Sequence, residues 1–253
     1  MIKFFRKIRR RLISGSNFSK YFLYAIGEIL LIVIGILIAL QINNWNQRNV
    51  RDKKEIEILK LIRSDLMEGV SEFDRSIAQY TTAKNSMKVI IDHLESDGSY
   101  QDSLKFHFFN TMLYWGTSDL SNSSFETLKS VGVDLISNKD LRDKLIVVFD
   151  EYDSWIKGDE NRYVDILIDA GRNVLNSRFN EYWAGERIND KYIGEMIPLD
   201  FESLKRDQEY LFFLKSLKNQ MKWLIDEPIK STKLEVVKLI DQIDAELSKL
   251  EGV

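Results

Sequence analysis

Histidine and cysteine, two residue types that often carry acid–base, nucleophilic or metal chemistry, are scarce in this chain. The sequence contains two histidines, His93 and His107, and no cysteine. The two imidazoles fall on different predicted helices, outside any HExxH or His-x-His pattern, so the spacing does not favour a zinc site. The lack of cysteine excludes thiolate catalysis, Cys-ligated metals and disulfides. No GxSxG nucleophile turn and no GxxxxGKS/T or GxGxxG phosphate loop occurs.

Adjacent acidic residues are the remaining candidates for a metal site. Asp150, Glu151 and Asp153 lie close together in sequence, as do Asp159 and Glu160. Carboxylates can bind hard cations, but acids at this spacing are more typical of a charged, solvated helix face. We therefore predict no catalytic, cofactor-binding or metal-binding residues and expect a protein that is not an enzyme.

Glu28 is the single acidic residue within a long apolar run. An ionised carboxylate inside a bilayer costs several kcal/mol unless it is paired, neutralised or faces water. At helical spacing it shares a stripe with Ile32, Gly35 and Ala39, and the Gly35/Ala39 pair allows another helix to approach closely. This stripe predicts a helix–helix interface. Two alternatives remain open: Glu28 serves a proton relay or pore, or it is protonated or reaches the headgroups.

The run that holds Glu28 is the predicted membrane helix, residues 21–42. Its 22 residues would span about 33 Å at about 1.5 Å per residue, enough for a hydrocarbon core of about 30 Å. It is too long for a signal-peptide core and lacks a small-x-small exit site, so we predict an uncleaved anchor. Trp45 follows at the position expected for an interfacial anchor.

The first twenty residues form a predicted basic, amphipathic tail without acids. Its cations precede the span, which predicts a cytoplasmic N-terminus and a translocated C-terminal part. They also suit contact with the headgroups of an anionic inner leaflet. The headgroup-contact candidates are Lys3, Arg6, Lys7, Arg9, Arg10 and Arg11. Over the whole chain 36 Lys and Arg nearly balance 39 Asp and Glu, so no nucleic-acid partner is expected.

Residues 43–253 are predicted to form one extracytoplasmic domain, and the fold class is all-α. Apolar residues recur at spacings of three and four with charges between them, which is typical of amphipathic helices that bury their stripes in an antiparallel bundle. The predicted elements are a long helix at 50–95, central helices within 102–178, an irregular loop at 180–200 and a C-terminal helical hairpin at 208–250.

Local signals predict where several of these helices begin, end or bend. Ser123 with Glu126 resembles a capping box, and Gly132 is a predicted stop. Pro228 is placed where the second helix of the hairpin can begin. Gly69, in the long helix, and Gly158, in a central helix, are predicted soft points.

The irregular loop is the predicted recognition segment. Long irregular segments with aromatic and arginine side chains are where binding commonly resides in compact domains. The candidate recognition residues are Tyr182, Trp183, Arg187 and Tyr192.

Two stretches carry a family resemblance. The opening, MIKFFRKIRRRLIS with NFSKYFLYAIGEILLIVIGILIALQINNWN, and the later SSFETLKSVGVDLISNKDLRDKLIVVFDEY resemble a widespread family of short Bacteroidota membrane proteins of unknown function. The membrane glutamate and the Gln-Ile-Asn-Asn-Trp-Asn exit of that family correspond here to Glu28 and residues 41–46. The resemblance implies the inner membrane of a Gram-negative cell and names no reaction.

Together these features predict a membrane-anchored, non-enzymatic interaction or scaffold protein. It is expected to self-associate through its membrane helix, or to bind a partner membrane protein, and to need no cofactor. The first alternative is an extracytoplasmic sensor or ligand-binding module that signals through a partner, because a tail of about twenty residues is too short for an output domain. The second alternative is a subunit of an ion- or proton-coupled membrane complex that uses Glu28.

Overall fold

A computed structural model describes residues 18–113, 118, 120–182, 184–189 and 191–252. Residues 1–17 of the predicted basic tail, with Lys3, Arg6, Lys7, Arg9, Arg10 and Arg11, therefore lie outside the described residues, and so does Trp183. In chain order the elements are α1 (Phe18–Leu94), α2 (Leu104–Thr111), α3 (Ser123–Val131), a 3₁₀ turn (Val133–Leu135), α4 (Lys139–Ile146), a π turn (Val147–Tyr152), α5 (Asp153–Asn173), β1 (Gly185–Ile188), β2 (Lys191–Gly194), α6 (Phe201–Lys205), α7 (Gln208–Leu224), a second π turn (Ile225–Ile229) and α8 (Lys230–Glu251). The prediction of a mainly α-helical protein is confirmed.

The chain divides into two units, Met1–Lys54 and Glu55–Val253. In the first unit the described residues belong to α1, and the apolar side chains from Ile29 to Ile42 are exposed. In the second unit α1 buries a stripe with spacings of three, four and seven. Its members include Leu59, Ile62, Leu66, Phe73, Tyr80 and Met87. This stripe is the predicted apolar face of the long helix.

The central part of the second unit contains one uninterrupted helical stretch, formed by α4, the first π turn and α5. The N–H of Asp153 bonds to the carbonyl of Val148, five residues earlier, which widens the helix at this point without ending it. Gly158, the predicted soft point, lies inside α5 and does not interrupt it.

The C-terminal part is also one helical stretch, so the predicted hairpin at 208–250 is wrong. Pro228 lies within the second π turn, and the backbone on both sides of this turn stays right-handed helical. The N–H of Lys230 bonds to the carbonyl of Ile225 in the wider i→i−5 pattern. A proline ring clashes with the carbonyl four residues earlier and lacks an N–H. The wider turn accommodates both defects, so the helix continues where a break was predicted.

Side-chain contacts give the directions of the three long helical stretches. Lys60 pairs with Glu251 and Glu95 pairs with Lys215, so the C-terminal stretch runs antiparallel to α1. Lys144 of α4 pairs with Glu235 of α8, while α5 packs against α7, so the C-terminal stretch is also antiparallel to the central one. The apolar stripes of these stretches meet in one core.

Two predictions made from neighbouring residues, the capping box at Ser123 and the soft point at Gly69, are corrected by contacts with residues distant in sequence. The N-terminus of α3 has no capping box. Instead, Asp65 of α1 accepts hydrogen bonds from the Ser123 hydroxyl (3.3 Å) and the Ser124 N–H (3.1 Å). A Cβ on Gly69 would collide with the Leu120 side chain, so this glycine permits close packing and is not a break in α1. The predicted stop at Gly132 is confirmed, since its φ of +103° suits glycine.

The prediction of an irregular loop at 180–200 is corrected, because its described residues include two paired strands. β1 and β2 form an antiparallel hairpin in which Gly185 pairs with Gly194 and Arg187 pairs with Tyr192. The N–H of Met196 then donates to the carbonyl of Lys105, which ties the segment to α2. Close approach of the paired glycines to Phe109 positions the hairpin on α2.

Candidate functional site

The four predicted membrane-interface residues lie on one face of α1. At about 100° per residue, Glu28, Ile32, Gly35 and Ala39 fall within an arc of about 60°. Glu28 is partly exposed and the other three are exposed. Apart from its chain neighbours and the backbone of its own helix, no described atom would lie within 4 Å of a Cβ added to Gly35, so this position leaves room for an approaching helix.

The apolar segment around this stripe meets the length and composition of a membrane span. Within the described residues, α1 is the one helix long and apolar enough to cross a membrane, and none of its most apolar 18-residue window is buried inside the chain. Trp45, the predicted interfacial anchor, follows this segment with 65% of its surface exposed. An exposed apolar surface of this kind is typical of segments that a bilayer or another protein covers.

The predicted recognition residues separate into packed and exposed members. The Tyr192 ring stacks on Phe109 at 5.7 Å, and the Tyr182 ring lies against Gly171, whose absent Cβ would be 2.6 Å from it. Arg187 is exposed on β1 beside Tyr192. Tyr192 thus helps to hold the hairpin on α2. Tyr182 keeps 39% of its surface exposed, so Tyr182 and Arg187 are the described candidates that can contact a partner from the surface.

Exposed apolar side chains also lie on this segment, outside the four candidate recognition residues. Ile188, Ile193, Ile197 and Leu199 are all exposed. Strand alternation could have identified Ile188 and Ile193, because residues on the open face of a two-stranded hairpin have no second sheet to cover them. Ile197 and Leu199 follow β2 and lie outside both strands.

The histidines make structural hydrogen bonds. His93 Nε2 lies 2.8 Å from the carbonyl oxygen of Ser99, and His107 Nδ1 lies 3.1 Å from the Ser86 hydroxyl. Among the described residues, no group of three or more histidine, aspartate or glutamate side chains is placed to hold a metal ion.

Buried carboxylates that fasten loops to the long helices were missed by the sequence analysis. Glu160 accepts hydrogen bonds from the Ser118 hydroxyl (2.6 Å), the Ser118 N–H (2.9 Å) and the Tyr80 hydroxyl (3.1 Å). Glu55 accepts from the hydroxyl and N–H of Ser137. Both glutamates are fully buried.

A sequence signal for these carboxylates exists. Glu160 lies four residues after Ile156 and three before Tyr163, so it falls on the apolar stripe of α5. Glu55 precedes Leu59 and Ile62 by four and seven residues on the stripe of α1. An acid on a buried stripe needs partners, because an unpaired buried charge is costly.

The ion pair between Arg178 and Asp207 predicts that the stability of the protein falls in acid. Arg178 donates from Nε to Asp207 at 2.7 Å. This hydrogen bond lowers the pKa of Asp207; partial burial opposes the shift, and the Tyr210 N–H adds to it. Because the folded pKa lies below the unfolded value of about 4, this stabilisation is present above that value and is lost as the pH falls through the folded pKa.

We expect Asp207→Asn to lower the melting temperature at pH 7 but to match the wild type in strong acid. Asparagine still caps α7, so the pH-dependent difference isolates the carboxylate. Thermal melts monitored by circular dichroism between pH 2 and pH 7 would measure it. A difference that stays constant across this range would contradict the prediction.

Comparison with known proteins adds one match. Residues 28–112 match a family of unknown function (DUF6090). The matched stretch begins at Glu28 and extends through α1 and α2, so it contains the membrane-interface stripe and Trp45. It does not reach residues 123–152, the second block of the resemblance, and the attribution to Bacteroidota stays a prediction. No curated protein and no solved structure matches this chain.

Proposed function

We propose that this protein is a membrane-anchored, non-enzymatic scaffold that self-associates through the stripe of Glu28, Ile32, Gly35 and Ala39. The exposed apolar segment of α1 is the observation that carries the proposal, since in water it would be a large uncovered surface. A bilayer covers such a helix, and a stripe with small residues lets a second copy pack closely against it. The second unit, with its own core, is the part that meets other partners.

Self-association is tested by mass measurements on the full-length protein in detergent. We expect the wild type to be a defined oligomer and Gly35→Leu to be a monomer, because leucine keeps two helix backbones apart. Gly27→Leu is the matched control: it is the same substitution about 80° around the helix, also at a position where an added Cβ meets nothing. A monomeric wild type, or equal masses for both variants, would refute the proposal.

The proposed location is the inner membrane, with the N-terminus in the cytoplasm and residues 43–253 in the periplasm. The basic residues before the span support this orientation through the positive-inside rule. The chain has no native cysteine, so single cysteines can report it.

We expect a membrane-impermeant maleimide to label Ser248→Cys, which is exposed on α8, when the outer membrane alone is opened. Ser14→Cys should be labelled only after the inner membrane is also permeabilised. The reverse pattern would show the opposite orientation.

A sensor that signals through a partner is the second candidate. It is favoured by the contact between α5 and α1, where the Tyr163 and Tyr80 rings meet edge-on at 6.0 Å and Glu160 accepts from the Tyr80 hydroxyl. A ligand bound on α5 would therefore border the helix that also bears the apolar segment. The test is to measure the oligomer mass of the full-length protein with and without a bound ligand. A mass that changes on ligand binding would favour a sensor, and an unchanged mass would favour a plain scaffold.

A further inference from the structure

A small cavity lies between α5 and α7 in the second unit. Its volume is about 180 Å³, smaller than the roughly 300–1,000 Å³ of pockets for drug-sized ligands. Asp159, Arg162, Tyr163 and Gln220 form its polar side, and Ile166, Trp223 and Leu224 form its apolar side. We refer to the space lined by these seven residues as the α5–α7 cavity.

Two of the residues that line the α5–α7 cavity, Asp159 and Tyr163, have side-chain atoms whose hydrogen-bonding capacity is not used. Asp159 is only 6% exposed, and its Oδ1 accepts from Arg162 Nη2 at 2.9 Å. Among the described residues, its other oxygen, Oδ2, and the Tyr163 hydroxyl are both buried without a hydrogen-bond partner. Buried polar groups are almost always satisfied, because leaving one unpaired costs about 1–3 kcal/mol.

The charges of the α5–α7 cavity select the chemistry of a ligand. The Asp159 carboxylate needs a donor, and an ammonium group offers the strongest. The Arg162 side chain is 71% exposed, so most of its donors can meet an incoming carboxylate. Burial raises the pKa of Tyr163, so its hydroxyl stays protonated and able to donate at neutral pH.

The apolar side supplies the third contact. The Trp223 indole is 46% exposed and lies edge-on to Trp155 at 6.4 Å. With Ile166 and Leu224 it offers a surface for an aliphatic or aromatic side chain. The cavity thus combines an acidic group, a cationic group and an apolar wall. These three features match the ammonium group, the carboxylate and the apolar side chain of one small molecule.

We infer that the α5–α7 cavity binds a free α-amino acid with an apolar side chain, its ammonium on Asp159 and its carboxylate on Arg162. This goes beyond the scaffold function and depends on neither the membrane location nor self-association. In the sensor alternative, this amino acid would be the ligand that is sensed. Failure of binding would leave the oligomer-mass and labelling tests unaffected.

The experiment is calorimetric titration of the full-length protein in detergent with L-leucine and L-phenylalanine. Two analogues act as chemical controls: 4-methylpentanoate lacks the ammonium group, and L-leucinamide lacks the carboxylate. We expect saturable binding of at least one of the two amino acids. Each of the two leucine analogues should bind at least tenfold more weakly than L-leucine. Absence of binding at millimolar concentrations would overturn the inference, since the buried groups would then be satisfied by water only.

Variants locate the binding in the cavity. Asp159→Asn should weaken binding at least tenfold, whereas Asp165→Asn, an exposed aspartate on the same helix, should leave it unchanged. Trp223→Ala removes a half-exposed side chain and so tests the apolar wall even if Asp159→Asn folds poorly. Binding unchanged in both Asp159→Asn and Trp223→Ala would place any site elsewhere and overturn the inference.

Discussion

Replacing Glu160 by leucine is expected to lower the free energy of unfolding by about 3 kcal/mol. Leucine is close to glutamate in size but accepts no hydrogen bond, so the Ser118 N–H, the Ser118 hydroxyl and the Tyr80 hydroxyl would lose their common partner. Leaving such groups unpaired in the interior costs about 1–3 kcal/mol each, and side-chain rotation recovers part of that loss. Urea denaturation of the full-length protein, followed by circular dichroism, measures the change.

The matched control for this prediction is Glu68→Leu. Glu68 is an exposed glutamate on α1, and substitutions at such positions usually change stability by no more than about 0.5 kcal/mol. Equal effects of the two substitutions would mean that Glu160 does not hold the loop at Ser118 to the bundle.

Two glycine-to-alanine substitutions are expected to change stability in opposite directions. An alanine Cβ at Gly194 would lie less than 3.0 Å from the Ala184 carbonyl oxygen and from the Phe109 ring. The hairpin must then shift away from α2, at a cost of about 1–3 kcal/mol. At Gly158, inside α5, an added Cβ meets nothing within 4 Å. There alanine should stabilise the protein by about 1 kcal/mol through helix propensity.

The sign of the difference makes this pair a strict test. In thermal melts, the melting temperature of Gly194→Ala should lie below that of the wild type, and the melting temperature of Gly158→Ala should lie above it. A Gly194→Ala variant as stable as the wild type would show that the glycine pair is not needed for close packing of the hairpin on Phe109.

The helical character of the chain could be predicted from residue spacing alone. The stripe that includes Leu59, Ile62 and Leu66 has the helical period, so the spacing of its apolar residues was enough to identify the buried face of α1. The apolar run of residues 21–42 and the stripe containing Glu28 were identifiable for the same reason, because length, composition and period are local properties. The stop at Gly132 was also local, since it depends on the backbone freedom of one residue.

The candidate sites were predictable only in part. The recognition residues Tyr182 and Tyr192 were chosen for their type, yet the Tyr182 ring lies against Gly171 and the Tyr192 ring stacks on Phe109, which belongs to another helix. The α5–α7 cavity was not predictable, because Asp159 and Trp223 are brought together only when two distant helical stretches pack.

What the sequence by itself determined is therefore which segments are helical, which face of each is apolar, and which segment is apolar enough to cross a membrane. Only the tertiary structure decided that Pro228 lies inside a continuous helix, that Asp65 caps α3, and that Gly69 serves packing against Leu120. The physical reason is the range of the forces involved. Period and propensity act within a few residues, whereas caps, close approaches and buried hydrogen bonds depend on partners supplied by another part of the chain.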